Sequence, residues 1–426
     1  MTLAQKILAR HAGRDRVNTG DLLMAQVDMV LGTDVTCALS IEVFREMGAT
    51  RVFDTEKIAL VNDHFVPAKD VQAATLSQIM RNFAREQGIR HYYEVGRSGI
   101  CHALLPDQGL VAPGNLVVGA DSHTCTYGAL GALSTGIGST DMACAWALGE
   151  LWFRVPETVQ VVIEGNLPPF VGAKDLILHI IGRLGVDGAL YQAIEFSGST
   201  IRKMGMDGRF TICNMAIETG AKTGLIEPDE VTWKYVESVQ GKCKAQTFDA
   251  RVGKAEFCPD PDAIYSRILE IDASALEPLV AQPYLPSNVA PARTLGTVKV
   301  DQVVLGSCTN GRMDDFRAAA SVLDGYEVNP GVRLIVIPST PDILQQLIKE
   351  GLAERFIAAG ATLSPPTCGP CIGGHMGVLA AGETGLFTTN RNFHGRNGHP
   401  DSRVFLCGPQ VAAASAVAGH IADPRG

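Results

Sequence analysis

The stretch Thr367-Cys-Gly-Pro-Cys-Ile-Gly-Gly-His375 sets two thiols, Cys368 and Cys371, three positions apart. Two thiolates at this spacing can face one partner, so the pair suits a redox dithiol, half of a zinc site or an anchor for an iron–sulfur cluster. The surroundings weigh differently on each use. A redox box opens a helix that continues past its second cysteine. Here Ile372, Gly373 and Gly374 follow instead, and each glycine weakens a helix by about 1 kcal/mol. A structural zinc site wants four ligands, commonly as two short pairs, and no second Cys-x-x-Cys accompanies this one. The best third thiol is Cys308, in Gly306-Ser-Cys-Thr-Asn-Gly-Arg312. Three thiolates with no obvious fourth describe a cluster with one open iron, a Lewis acid able to polarise a bound hydroxyl or carboxylate.

Groups of this kind must be held by elements that end where they begin. Short β-branched runs finish in polar residues at 115–123, 302–310, 333–340 and 402–409. Their continuous apolar residues predict strands buried on both faces. Helical patterns follow at Asp141–Phe153, Asp314–Leu323, Pro341–Ala359 and Gln410–His420. Strand, polar loop and helix in repetition predict α/β layers with crossover helices. In such sheets the ligand crevice lies at the carboxyl ends of strands, where Asp121-Ser122-His123 and Ser307-Cys308-Thr309-Asn310 fall. Prolines 278, 283, 286 and 291 crowd the stretch Glu277–Thr297, which reads as a linker because proline resists both helix and central strand. A second boundary is expected near Pro156. The organisation expected is 1–156, 157–280 and 281–426. The glycine-rich run at 128–139 is neither a P-loop nor a clean dinucleotide fingerprint, and its glycines are expected to serve tight turns and close packing.

With 426 residues, 46% apolar and 19% charged, the chain has material for two or three buried cores. Its net charge of −9 argues against a protein that tracks nucleic-acid phosphates. No apolar run reaches the length of about 20 residues that a bilayer requires, so no membrane span is expected. The first residues, Met1 to His11, read as a short amphipathic helix and not as an export signal. Eleven scattered cysteines give no disulfide framework and suit a reducing cytoplasm. Cys37, Cys144, Cys213 and Cys407 sit among apolar neighbours and read as small buried hydrophobes.

Taken together, Gly306–Arg312 and Thr367–Gly373 resemble the cluster signature of the aconitase family. So do Gly119-Ala-Asp-Ser-His-Thr124, Thr388–Asn397, Asp63-His64, Gly99-Ile-Cys-His102 and Thr211–Glu218. These motifs occur in the family's order, from about residue 20 to 420. The resemblance implies an aconitase-like α/β fold: three α/β domains packed around an iron–sulfur cluster, without the swivelling fourth domain.

It also implies roles. Cys308, Cys368 and Cys371 would hold one 4Fe–4S cluster per subunit, whose open iron takes the hydroxyl and a carboxylate of a 2-hydroxy acid undergoing reversible dehydration and rehydration. Asp63 and His64 match the pair that protonates the departing hydroxide. His102, Asp121, His123 and Glu218 match the ring of hydrogen-bonding groups around the iron-bound water, with Asn214 expected on one helical face with Glu218. Ser122, Asn214, Asn390, Arg391 and Arg396 match substrate-binding positions, since guanidinium forks grip the carboxylates of a di- or tricarboxylate. Gln26 falls where the family places a substrate-contacting glutamine. His375 and His394 match no role. Family members with the swivelling domain carry on it a serine base and a further arginine. No counterpart follows here, so the resemblance is to the large subunit of the split branch, expected to work with a separate small subunit.

Overall fold

The computed structural model describes residues 1–242 and 257–426; Cys243 lies outside them. Short strands of two to seven residues, many of them wholly buried, build three mainly parallel sheets. The first has five parallel strands in the order 91–93, 58–61, 29–33, 116–119 and 133–136. The second has four in the order 223–226, 193–197, 158–164 and 267–272, again all parallel. The third has seven, in the order 289–291, 279–281, 403–407, 384–387, 302–306, 333–337 and 362–363. Strands buried on both faces need helices above and below, and this is the layering found. All four sequence-predicted strands are present, as Leu116–Gly119, Gln302–Gly306, Arg333–Ile337 and Arg403–Cys407.

Three element expectations are corrected. The helix expected over Asp141–Phe153 spans Ser139–Leu148 and stops at left-handed Gly149. Glu150–Arg154 then forms a strand, antiparallel to Leu22–Gln26. The pattern Pro341–Ala359 is two helices, Pro341–Lys349 and Leu352–Ala358, separated by Gly351 at φ 71°. The proline-rich stretch is not free linker. Leu279–Ala281 and Val289–Pro291 pair antiparallel, and the former docks on Arg403–Cys407. Its prolines fall at a strand end and in the connections, where the missing N–H costs no internal ladder bond. The strand Leu279–Ala281 also spans the expected boundary at residue 280 and belongs with the third sheet.

Thr2 caps the N-terminal helix Leu3–His11 in a capping box with Gln5. Glycine 128, in the glycine-rich run, lies so close to the next sheet that a Cβ there would overlap the carbonyl oxygen of Gly224. Close packing, not phosphate binding, requires it. Among the described residues no helix is long and apolar enough to cross a membrane.

Candidate active site

The strand ends deliver the chemistry. Asp34 follows the strand Met29–Thr33, Asp63 and His64 follow Ile58–Val61, Asp121 follows Leu116–Gly119, Cys308 follows Gln302–Gly306, and Asn390 and Arg391 follow Thr384–Phe387. The crevice at carboxyl ends of parallel strands is where an α/β protein can gather polar side chains without breaking its core. At Gly306 the chain turns with φ 146°, and Ser307 is held at φ 78°, an uncommon conformation for a residue with a side chain. A Cβ at 306 would overlap the Ile337 carbonyl oxygen, so only glycine lets the next residues turn inward.

Cys308, Cys368 and Cys371 are all buried and free of disulfides. Cys308 packs with Cys368 and Ile100. One amide ties Cys308 to Cys371: Asn390 Nδ2 donates to Cys308 Sγ at 3.3 Å, and Cys371 Sγ lies 3.5 Å from Asn390 Oδ1. Asn214 Nδ2 donates to Cys308 Sγ as well, also at 3.3 Å. Burial pushes the Cys308 thiol well up and that of Cys368 to about 12. Burial alone favours the protonated thiols, whereas the two amide N–H donors aimed at Cys308 Sγ favour its thiolate. The three sulfurs together suit thiolates neutralised by iron, whose binding releases the protons.

Beside them stands His64. Its Nδ1 is 2.7 Å from Asp63 Oδ1, and ligand atoms of Asp63, His64 and Cys368 lie within 4.8 Å of one another. Burial opposes charge on the ring, but Cys368 and Asp63 beside it outweigh that and hold its pKa well above the usual imidazole value. Asp63 is itself fixed, Oδ2 accepting from the Cys101 backbone N–H at 2.8 Å. Asp121 bridges the other histidines. Its Oδ1 is 2.8 Å from His102 Nε2 and accepts the His123 backbone N–H at 2.8 Å, while Oδ2 is 3.7 Å from His64 Nε2. Burial works against that carboxylate, yet His102 and His123 hold it well below the ordinary range. His123 Nε2 meets Glu218 Oε1 at 2.9 Å, and Arg391 Nε donates to both Glu218 oxygens at 2.9 and 3.0 Å. Arg391 Nη1 donates to Ser122 Oγ at 3.0 Å. Arg396 Nε is buried without a hydrogen-bond partner.

The structure therefore gathers Asp63, His64, His102, Asp121, Ser122, His123, Asn214, Glu218, Asn390, Arg391 and the three cysteines into one connected network. Asn214 and Glu218 are not on one continuous α-helix. The helix Met206–Asn214 ends at Asn214, and a 3-10 turn, Met215–Thr219, carries Glu218. The change of pitch sends Asn214 to Cys308 and Glu218 to His123. Gln26 sits on the exposed face of the ribbon opposite Glu150 and makes no hydrogen bond to this network. A cleft of about 420 Å³ opens beside Asp121 and Ser122, walled by Trp152, Phe153, Tyr191 and Lys222.

Two residues of the network escaped the sequence reading. Asp34, fully buried, accepts the backbone N–H groups of Asp63, His64 and Phe65 at 3.3, 3.0 and 2.8 Å. Asn397 donates to the carbonyls of Pro370 and Cys371 at 3.0 and 3.2 Å. Asn397 lay within a recognised motif. Asp34 gave only the signal of a lone carboxylate at a strand's end.

Comparison with known proteins shows the family of the chain. The family model described as Aconitase family (aconitate hydratase) matches residues 5–419. The chain belongs to the aconitase family. It is 56% identical over 425 residues to the 3-isopropylmalate dehydratase large subunit of Moorella thermoacetica, covering 100% of this chain and 99% of that one. The large subunit 1 of Pyrococcus furiosus 3-isopropylmalate dehydratase is 54% identical over 427 residues, covering 100% and 98%. Among solved structures, holo aconitase X of Thermococcus kodakaraensis superposes with a TM-score of 0.51 at 13% identity, over 92% of this chain and 89% of that one. The last likeness speaks to the fold alone. Family membership implies an iron–sulfur cluster.

Proposed function

We propose that this chain is the cluster-bearing large subunit of 3-isopropylmalate dehydratase, a hydro-lyase of leucine biosynthesis that interconverts 2-isopropylmalate and 3-isopropylmalate by dehydration and rehydration. The observation that carries the reading is the network in which three buried thiols, the Asp63–His64 pair and the Glu218–Arg391 pair meet at the ends of strands from different sheets. Homologues with that name at more than half identity over the full chain support the substrate. Homocitrate would suit the same polar groups, so the substrate's alkyl or carboxylate substituent decides between the two.

Cys308, Cys368 and Cys371 would hold a 4Fe–4S cluster. When bound, that group supplies a Lewis-acidic iron for the substrate's hydroxyl and one carboxylate. The chain's own residues do the rest. Arg391 is oriented through Nε by Glu218 and through Nη1 by Ser122, and with Arg396 it grips the substrate's other carboxylate, a fork geometry that Lys cannot reproduce. His64 is held charged and aimed by Asp63. It donates the proton that converts departing hydroxide to water and recovers it on hydration. His102 and His123, fixed by Asp121 and Glu218, keep that water ordered. Removal of the substrate's carbon-bound proton needs a base on the opposite face. We assign it to a separate small subunit, as the relatives' name "large subunit" supports. Ten free cysteines among the described residues favour a reducing cytoplasm as its location.

The test is anaerobic purification, cluster reconstitution and assay of isopropylmaleate hydration with and without the small subunit. A visible cluster absorption, about four irons per chain and turnover only with the partner are expected. Full turnover by the isolated chain would remove the two-subunit reading, and absence of iron would remove the mechanism.

A further inference from the structure

Lys174 is 1% exposed, in the first turn of the helix Ala173–Leu184 that covers the second sheet. Its ammonium does not meet a carboxylate. It donates to the carbonyl oxygens of Thr388 at 2.8 Å and Thr389 at 2.6 Å, and to Asn310 Oδ1 at 3.3 Å. A lysine offers three donors, and here all three are taken by the third sheet. Two of its acceptors lie immediately before Asn390 and Arg391; the third lies two residues after Cys308. Burying an ammonium is costly unless its hydrogen bonds are complete, and a core position would be filled more cheaply by Leu or Met.

The two loops it joins are otherwise tied at the strand ends and through neutral asparagine amides, and Lys174 is the charged donor between them. Thr388 Oγ1 bonds Gly306 N–H and Gly306 O at 2.9 and 3.0 Å, at the strand ends. Thr388 N–H also donates to Val304 O at 2.9 Å, and Asn390 reaches the Cys308 loop directly and through Asn214, whose Oδ1 accepts from Asn390 Nδ2 at 3.4 Å and from Thr309 Oγ1 at 2.9 Å. Asn310 is oriented by Asp315, which accepts its Nδ2 at 2.8 Å and so turns Oδ1 towards Lys174. The neighbouring Asp175 is anchored too, accepting the backbone N–H of Gly172 and of Leu279 at 2.8 Å each. The first turn of this helix is thus clamped to the third sheet at two points.

We infer that Lys174 is a positioning residue: its ammonium staples the Cys308 loop to the Asn390–Arg391 loop, setting the sulfur, its amide donor and the carboxylate-binding guanidinium in register. The inference rests on the proposed roles of Cys308 and Arg391. Burial draws the ammonium down to about 8, while three oxygen acceptors around Nζ favour the charged form and place positive charge beside the cluster loop. Such charge favours the reduced cluster.

The experiment uses the reconstituted large chain with its small subunit. Lys174→Met keeps length and removes charge and donors; Lys174→Arg keeps both. With Met, iron per chain should be unchanged, KM should rise by about tenfold, the size of one charge-assisted hydrogen bond, and kcat should move less. The midpoint potential should shift negative. Arg should return both readouts towards wild type. A cluster-loaded Met variant with wild-type KM, or with wild-type potential, overturns the inference, because a residue that only fills the core would lower yield and Tm alone. Should Met fail to fold, Lys174→Gln removes the charge while keeping donors, and an unshifted potential there overturns it equally. Wild-type protein without a cluster spectrum would instead remove the underlying functional reading, before any variant is compared.

Discussion

His64 can act as an acid only if its ring is held, and two carboxylates hold it in different ways. Asp63 contacts the ring at 2.7 Å, whereas Asp34 lies 3.6 Å from the same ring nitrogen and chiefly binds the backbone of residues 63 to 65, fixing the turn from which the ring projects. Burial pushes the Asp34 carboxyl up, but His64 and these N–H groups keep it below the ordinary range. His64→Gln should lower kcat by roughly 10²–10⁴-fold, the usual contribution of general acid catalysis, with the cluster intact. Asp34→Asn should lower kcat by less and also lower Tm, because a buried N–H loses its acceptor. Wild-type kcat in Asp34→Asn would mean that the turn is held without it. Residues of the first kind were legible in the sequence because they lie in motifs whose chemistry is tied to type and spacing. Asp34 was not, since a carboxylate whose hydrogen bonds go chiefly to backbone carries no such pattern, and Lys174 was hidden because its acceptors are carbonyl oxygens.

At the scale of elements, the helix Met206–Asn214 must stop at the right place for Asn214 to reach Cys308. Arg209, fully buried within it, fixes that placement. Its Nη1 and Nη2 donate to Asp229 at 2.7 and 2.6 Å, and its remaining donors bond the Thr232 hydroxyl and the carbonyls of Met204, Ile201 and Arg202. Asp229 also caps the helix Glu230–Val239. Burial raises the Asp229 pKa, but Arg209 outweighs it and the net shift is downward. The sign follows: the folded state binds this proton less readily than the unfolded chain. The contribution to stability is therefore whole above the unfolded value near 3.9 and fades as pH falls below it. Asp229→Asn should cost about 3 kcal/mol at pH 7, the penalty of leaving a buried guanidinium without its counter-charge, and the difference from wild type should shrink towards pH 3. A denaturant titration at the two pH values measures this; an unchanged gap would show that Arg209 is held by its neutral acceptors alone. Element types were legible where apolar runs were short and bounded. They failed at Glu150–Arg154 and Gly351, where a left-handed glycine ends a helix inside an unbroken amphipathic pattern, and at Leu279–Ala281, where sheet pairing overrides a proline-rich neighbourhood.

Across the whole molecule, the first and second sheets border a cleft that the two-stranded ribbon walls on one side. The ribbon of Leu22–Gln26 and Glu150–Arg154 turns Leu22, Met24 and Trp152 outward at 67%, 49% and 60% exposure. Met24 lies directly opposite Trp152, and Trp152, Phe153 and Arg154 also line the cavity that ends at Asp121 and Ser122. An apolar patch with an aromatic centre, on the rim of the site where a base has to enter, has the character of a binding surface. On the proposed two-subunit reading, the small subunit is the partner expected at this rim, because its base would reach the substrate from the cleft. Trp152→Glu combined with Met24→Lys should weaken association with the small subunit by at least about tenfold, the cost of removing one aromatic anchor. The large chain's own cluster absorption and Tm should be nearly unaffected, since both side chains already lie in water. Binding measured by titration of small subunit into large subunit, with turnover followed in parallel, decides the matter. Turnover should recover at saturating small subunit, as the catalytic groups are untouched. An affinity equal to wild type would place the partner on another face of the cleft, and a loss of turnover that saturation does not restore would assign the ribbon to substrate binding instead.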